Sequence, residues 1–269
     1  MADFIHYHRR VVNIRPRKNP PDNSDYEWAH ARQEKGAGFT RPAFHITRST
    51  FGPAARIDRG DTIWHFARLH SSKHTVCVAL DAKIIVDKVI PNPKGPGFRY
   101  KAAKESRWFA LFQKDKIFKQ LRTIDAKGYI ADLLSQPDQP VGQAMQQIRQ
   151  LSDAGPLHDL EIRIDNAQTH FISYRHKDGI VPAFEKCSEL VEAGHAVWWD
   201  RWSLPRRLAE RREDVSERAL DRRIRQQLLD ADVVWGIETK HYHERKSYAA
   251  KEKRLALKNG TYRPVSVAG

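Results

Sequence analysis

The residues best suited to chemistry gather at the ends of three short apolar runs in the second half of the chain. Phe171-Ile172-Ser173 leads into Tyr174-Arg175-His176-Lys177-Asp178, Val197-Trp198-Trp199 ends on Asp200, and Val233-Val234-Trp235-Gly236-Ile237 is the third run. In an open parallel sheet, ligands sit outside the carboxyl ends of the strands. Arg175 and His176 suit an anion there, or form a solvated loop. Neither a GxGxxG nor a Walker A pattern is present, which excludes a Rossmann or P-loop site. Ser173 has no nucleophile elbow around it and reads as a strand-end residue. His6-x-His8 and His241-x-His243 lack a carboxylate or cysteine partner at a recognised spacing, so no metal site is expected. Cys77 and Cys187 lie 110 positions apart, forming neither a disulfide framework nor a zinc motif.

The elements that must position these residues follow from periodicity. Thr169–Tyr174, Ala196–Trp199 and Val233–Ile237 are strand candidates. Val181–Ala193, Glu217–Leu229 and Ser247–Lys258 are amphipathic helices, with Gly194 a natural stop and Asp214 a cap ahead of Glu217. Strand alternating with helix implies a parallel sheet covered by helices. Tyr262–Val267 is a fourth strand candidate.

The first half reads differently. Residues 1–42 form an extended arm or loop, rich in Arg, Lys, Pro and Asn. Residues 43–155 are a β-rich α+β domain. Its strands are expected at Ala43–Thr47, Thr62–Leu69, Thr75–Leu80, Lys83–Ile90 and Trp108–Phe112, and its helices at Lys114–Leu121 and Val141–Leu151. Asp153-Ala154-Gly155-Pro156 ends the last helix, and a boundary falls near 152–165. The third region is 165–269.

The chain has 269 residues and a net charge of +14. Residues 1–160 hold 26 basic and 16 acidic residues, and 161–269 hold 21 and 17, so most of the excess lies in the first half. Such a field attracts polyanions. No stretch approaches the roughly 20 apolar residues of a membrane helix, and Met1–Pro16 has no apolar core of a secretory signal. A soluble cytoplasmic protein, with no membrane partner, is expected.

Four segments in order resemble a TIR domain over about residues 165–265. Phe171–Arg175 is similar to the family's first strand and loop, and Gly194–Asp200 to its second strand. Arg201–Arg207, with Leu204-Pro205, is similar to the BB loop, and Ala231–Trp235 to the third strand. Tyr242 and Ser247-Tyr248-Ala249-Ala250-Lys251-Glu252 resemble the Tyr…Ser-x-Trp-Cys-x-x-Glu segment, with Tyr248 in place of Trp. The resemblance implies a flavodoxin-like α/β fold. It also implies an NAD+ glycohydrolase, in which NAD+ is substrate, no cofactor is needed, and the products are nicotinamide and ADP-ribose or a cyclic ADP-ribose. Glu252 is then the catalytic carboxylate; read alone it is a helix-surface residue paired with a Lys or Arg. Tyr174, Arg175, His176, Asp200, Trp202 and Tyr248 are the implied substrate contacts. Trp202 and Leu204 would otherwise meet a second copy, since TIR sites are completed by self-association. The family further implies a triggered, anti-phage type of immune effector. A non-catalytic TIR scaffold is the alternative.

The Arg59-Gly60-Asp61-Thr62-Ile63-Trp64 turn loosely resembles PUA-like folds of the EVE and ASCH group. That resemblance implies a nucleic-acid or nucleotide trigger bound by the first half. Trp64, Phe66, Trp108 and Phe109 either stack on bases or form the core. A nucleic-acid-binding protein dominated by this half is the third reading.

Overall fold

The computed structural model describes residues 1–8, 41–70, 75–93, 95–112, 115–136, 139–203, 217–244 and 247–267. Among the described residues the protein is mixed α/β with two sheets. The first half supplies β1 (Asp3–His8), β2 (Phe44–Thr47), β3 (Thr62–His70), β4 (Thr75–Pro91), β5 (Phe98–Ala102), β6 (Arg107–Trp108), β7 (Arg122–Ile124), β8 (Ile130–Asp132) and β9 (Arg149–Leu151). They form one sheet in the order β2-β5-β4-β3-β1-β9-β7-β8, with β6 on β4. Neighbours are antiparallel except β1, which runs parallel to β3.

Several expectations are corrected. The arm assigned to residues 1–42 does not start at the N-terminus: Asp3–His8 is an interior strand, with Phe4 and Ile5 buried on opposite faces. Residues 9–40 lie outside the described residues. The two strands expected on either side of Asp81 are one strand, β4. Its register against β3 slips there: His65 faces Ala82 and Phe66 faces Leu80, which leaves Asp81 as a bulge. The helix expected at Val141–Leu151 stops at Ala144, and the chain then enters β9. Ala144, Met145, Ile148 and Leu151 are all buried, so the helical spacing is that of core residues on a turn followed by a strand. Trp64, Phe66 and Phe109 belong to the core, at 0–3% exposure, and only Trp108 of that quartet is half-buried.

The expected boundary at 152–165 is a helix, Gly155–Asn166. Pro156 suits the first helical turn, where its missing N–H costs nothing. Leu157, Leu160 and Ile164 pack with Trp64, Phe66 and Leu80 against the first sheet. Lys83 reaches Glu161 at 2.7 Å, and Arg107 pairs with Asp165. The helix therefore belongs to the first half's core.

The second half is a parallel four-stranded sheet, ordered β11 (Ala196–Trp198), β10 (Thr169–Ser173), β12 (Val233–Glu238) and β13 (Tyr262–Ser266). Its crossovers carry the helices Ile180–Glu192, Glu217–Asp230 and Tyr248–Lys258. The segment 204–216 lies outside the described residues, and with it most of the BB-like loop and Asp214. Edge strand β11 is met by the first half: Leu111 and Val197 exchange backbone hydrogen bonds of 2.8 and 2.9 Å. Ala67, Ala79 and Leu111 also share a core with Val197, Trp199 and Ile172. No helix among the described residues is long and apolar enough to cross a membrane.

Leu157→Ala tests the helix assignment. A fully buried leucine costs about 2–5 kcal/mol on truncation, whereas a linker residue costs within about 0.5 kcal/mol. Urea unfolding of the full chain is expected to show the larger loss.

Candidate functional site

The carboxyl ends of β10, β11 and β12 meet the helix Tyr248–Lys258, and the polar residues of the second half converge there. Strand alternation divides the work of β10. Ser173 faces the side of the sheet packed by Phe171, Ala249 and Ala256, and Tyr174, the next residue, faces the opposite core with Trp199 and Trp202. Ser173 is 1% exposed. Its hydroxyl donates to Glu252 Oε2 at 2.5 Å and lies 3.1 Å from the Tyr242 hydroxyl. Tyr174 donates to Asp200 Oδ1 at 2.7 Å, and His176 Nε2 lies 2.7 Å from Asp200 Oδ2.

Local sequence explains how Glu252 is presented. Ser247 caps its helix, the hydroxyl accepting from the Ala250 N–H at 3.0 Å. Tyr248 opens the helix, and Glu252 follows one turn later on the same face. Burial pushes the Glu252 carboxyl up, to about 7. The Ser173 hydrogen bond and His176 oppose that rise, and the charge of Asp200 adds to it. A carboxyl poised near neutrality among hydroxyls and a second carboxylate is a group fitted to acid–base or charge-stabilising chemistry.

Behind Glu252 runs a line of polar groups. Tyr262 donates to Glu238 at 2.6 Å, Lys253 donates to the same carboxylate at 2.7 Å, and the Tyr262 and Tyr242 hydroxyls are 3.4 Å apart. Burial raises the Tyr242 phenol to about 12, so it stays neutral at physiological pH. Gly236 permits this arrangement: a Cβ there would sit 2.0 Å from the Tyr262 hydroxyl.

The remaining expected contacts divide. Arg175 engages Glu244, which also accepts from His241 and is held below the usual carboxylate range chiefly by His241, then by Arg175. Asp178 ties the β10 loop to the β12 loop, accepting from the Thr239 hydroxyl and the His241 N–H. Tyr248 is half-buried, with Lys251 Nζ 5.0 Å from its ring centre. Trp202, read as a pocket or subunit contact, is 0% exposed in this chain's own core. Thus Glu252, Asp200, Tyr174 and His176 come together, Arg175 stands beside them with Glu244, and Trp202 supports from beneath. Ser173, expected only as a strand-end residue, and Tyr242, not among the expected contacts, both lie against Glu252 or its partner. Ser173 is the last residue of β10, and Tyr242 lies in the loop four residues beyond the end of β12.

The chain matches no protein-family model, and no curated protein or solved structure shows similarity to it.

The raised Glu252 carboxyl has a consequence for stability. The folded protein holds its proton above the ordinary value of 4.5 and up to about 7. Stability from this group is therefore full below pH 4.5 and is lost as pH rises through about 7, by up to about 3 kcal/mol. Glu252→Gln removes that loss. Urea unfolding at pH 5 and pH 8 is expected to show the variant gaining on the wild type much more at pH 8 than at pH 5.

Proposed function

We propose that the second half is a TIR-type NAD+ glycohydrolase site in which Glu252 is the catalytic carboxylate. The observation that carries this reading is the grouping of Glu252, Ser173, Asp200 and His176 beyond the carboxyl ends of parallel strands. The bond between nicotinamide and ribose breaks through an oxocarbenium-like state, as in glycoside cleavage. Nicotinamide carries its positive charge in the ground state and leaves neutral, so the reaction requires no general acid. The electron pair of the breaking bond goes to the nicotinamide nitrogen. The ribose carbon then bonds to a water oxygen, whose proton passes to solvent, to give ADP-ribose, or to an internal nucleophile to give a cyclic product.

The chain's residues have distinct tasks. Ionised Glu252 accepts from the ribose hydroxyls and offsets the growing positive charge. Ser173 holds the carboxylate in place. Asp200, fixed by Tyr174 and His176, offers a second acceptor to the sugar. Arg175 and the backbone of its loop supply the positive charge for the pyrophosphate, in exchange for the Glu244 contact. The first half, with most of the net positive charge, fits a sensor for a polyanionic trigger in an anti-phage type of effector. Self-association would complete the site, as in the TIR family.

Purified full chain incubated with NAD+, with and without nucleic acid, is expected to release nicotinamide in at least one assembled state. Turnover should climb with pH through about 7, because the ionised Glu252 is the active form. Glu252→Gln should lower it by about 10²–10⁴-fold. Full turnover by that variant overturns the assignment. A folded, self-associated protein that releases no nicotinamide in any state favours the scaffold reading instead.

A further inference from the structure

A cluster of three imidazoles lies in the first half, remote in sequence from every residue of the second-half site. His6 on β1 and His65 on β3 are register partners, so they share a face of the sheet. That face is the one carrying Phe4 and Ile63, which pack with Tyr100 of β5. β2 pairs with β5, and His45 is the register partner of Tyr100. Folding the β2–β5 ribbon over that face brings His45 onto the other two. Its ring centre is 4.2 Å from His65 and 4.9 Å from His6, and His6 and His65 are 5.8 Å apart. One ring nitrogen from each residue lies within 4.8 Å of the other two. His45 and His65 are 0% exposed, while His6 is half-buried.

Three details favour a built site over chance packing. First, His65 stands at the register slip of β3 against β4, and such bulges re-aim a side chain. Second, a neutral imidazole brings a lone pair, and three of them aimed at one region form the donor set of a divalent transition metal. Third, the described neighbours on this face are the apolar and aromatic Phe4, Ile63 and Tyr100, with Tyr100 stacked on His45 at 6.0 Å and its own hydroxyl spent on the Ala54 carbonyl. A shell of this kind excludes water and strengthens coordination.

We propose that His6, His45 and His65 bind one divalent transition metal ion, with Zn²⁺ the best fit. Zinc takes histidine nitrogens at about 2.0–2.1 Å in a tetrahedral set, which draws the three nitrogens inward by about an ångström through side-chain rotation. Three protein ligands leave a fourth position, reached from the partly exposed His6 side, for water or a small anion. The ion joins β1, β2 and β3 through ligands that lie between positions 6 and 65, and so stabilises the first sheet on binding.

The full chain, stripped with chelator and then titrated with Co²⁺ or Zn²⁺, provides the test. We expect one equivalent per chain, visible ligand-field bands of a tetrahedral Co²⁺ complex, and a higher melting temperature with Zn²⁺. His6→Ala, at the half-buried position, and His65→Asn should weaken uptake by more than the roughly 10–100-fold that outer-shell changes cost. The double variant His241→Ala/His243→Ala should bind as the wild type does. Circular dichroism of each metal-free variant separates lost ligation from lost folding, and the cobalt spectrum of the wild type stands even if a variant fails to fold. A folded wild type that takes up no stoichiometric metal overturns the proposal, as does unchanged uptake by folded His6→Ala. None of these readouts uses NAD+, so the result is independent of the second-half site.

Discussion

A carboxylate partly withdrawn from water, that of Glu252, is the constraint around which the second half is arranged. Burying such a charge costs several kcal/mol unless hydrogen bonds replace the lost water. The Ser173 hydroxyl supplies one of those bonds to Glu252, and it is placed there by the last residue of a central strand. Asp200 works the other way, its negative charge adding to the rise that burial causes in the Glu252 carboxyl. Two carboxylates near each other cannot both ionise freely. The structure manages this by giving Asp200 two partners of its own, Tyr174 and His176. Because Ser173 and Tyr174 point to opposite faces of β10, a single strand end serves both carboxylates.

The first half contributes to that arrangement through β11. An edge strand presents unpaired backbone groups, and Leu111 occupies two of those on Val197. Val197 lies three residues before Asp200. The core beneath it mixes Ala67 and Ala79 of the first sheet with Trp199 and Trp202 of the second half. β3 and β4 are therefore packed directly against the strand that leads into Asp200. Such packed cores transmit displacement because they have no slack. The two halves are thus in direct contact next to the segment that carries Asp200.

What could be read in the sequence follows from locality. The strands of the second half and their helices were legible because each has its own period, whereas Glu252 was singled out only through the resemblance of its segment to the TIR family, since spacing alone makes it a helix-surface residue. The Gly155–Asn166 helix was misread because Gly-Pro serves equally to end a helix and to begin one. The 141–151 segment was misread because buried positions at a helical spacing also fit a turn plus a short strand. The histidine cluster was out of reach for a different reason. His6, His45 and His65 have no common period, and only the parallel pairing of β1 with β3 and the fold of the β2–β5 ribbon bring them together. Nothing local encodes that pairing.

The direction of hydrogen bonding behind Glu252 depends on its proton. When Glu252 is ionised, it can only accept, so the Ser173 hydroxyl donates to it. Ser173 then has lone pairs left for the Tyr242 hydroxyl, 3.1 Å away, which becomes the donor. Protonated Glu252 can donate to Ser173, which frees the serine proton for the Tyr242 oxygen. The far end does not reverse, because Glu238 is held below the usual carboxylate range by Lys253 and Tyr262 against the effect of burial. It remains an acceptor, and Tyr262 remains its donor. Tyr242, neutral in either state, is the group at which the two polarities meet. A line with one fixed end and one switchable end makes the site sensitive to the charge of Glu252 while keeping its geometry, which is the property a carboxylate must have if it is to change protonation without the sheet moving around it.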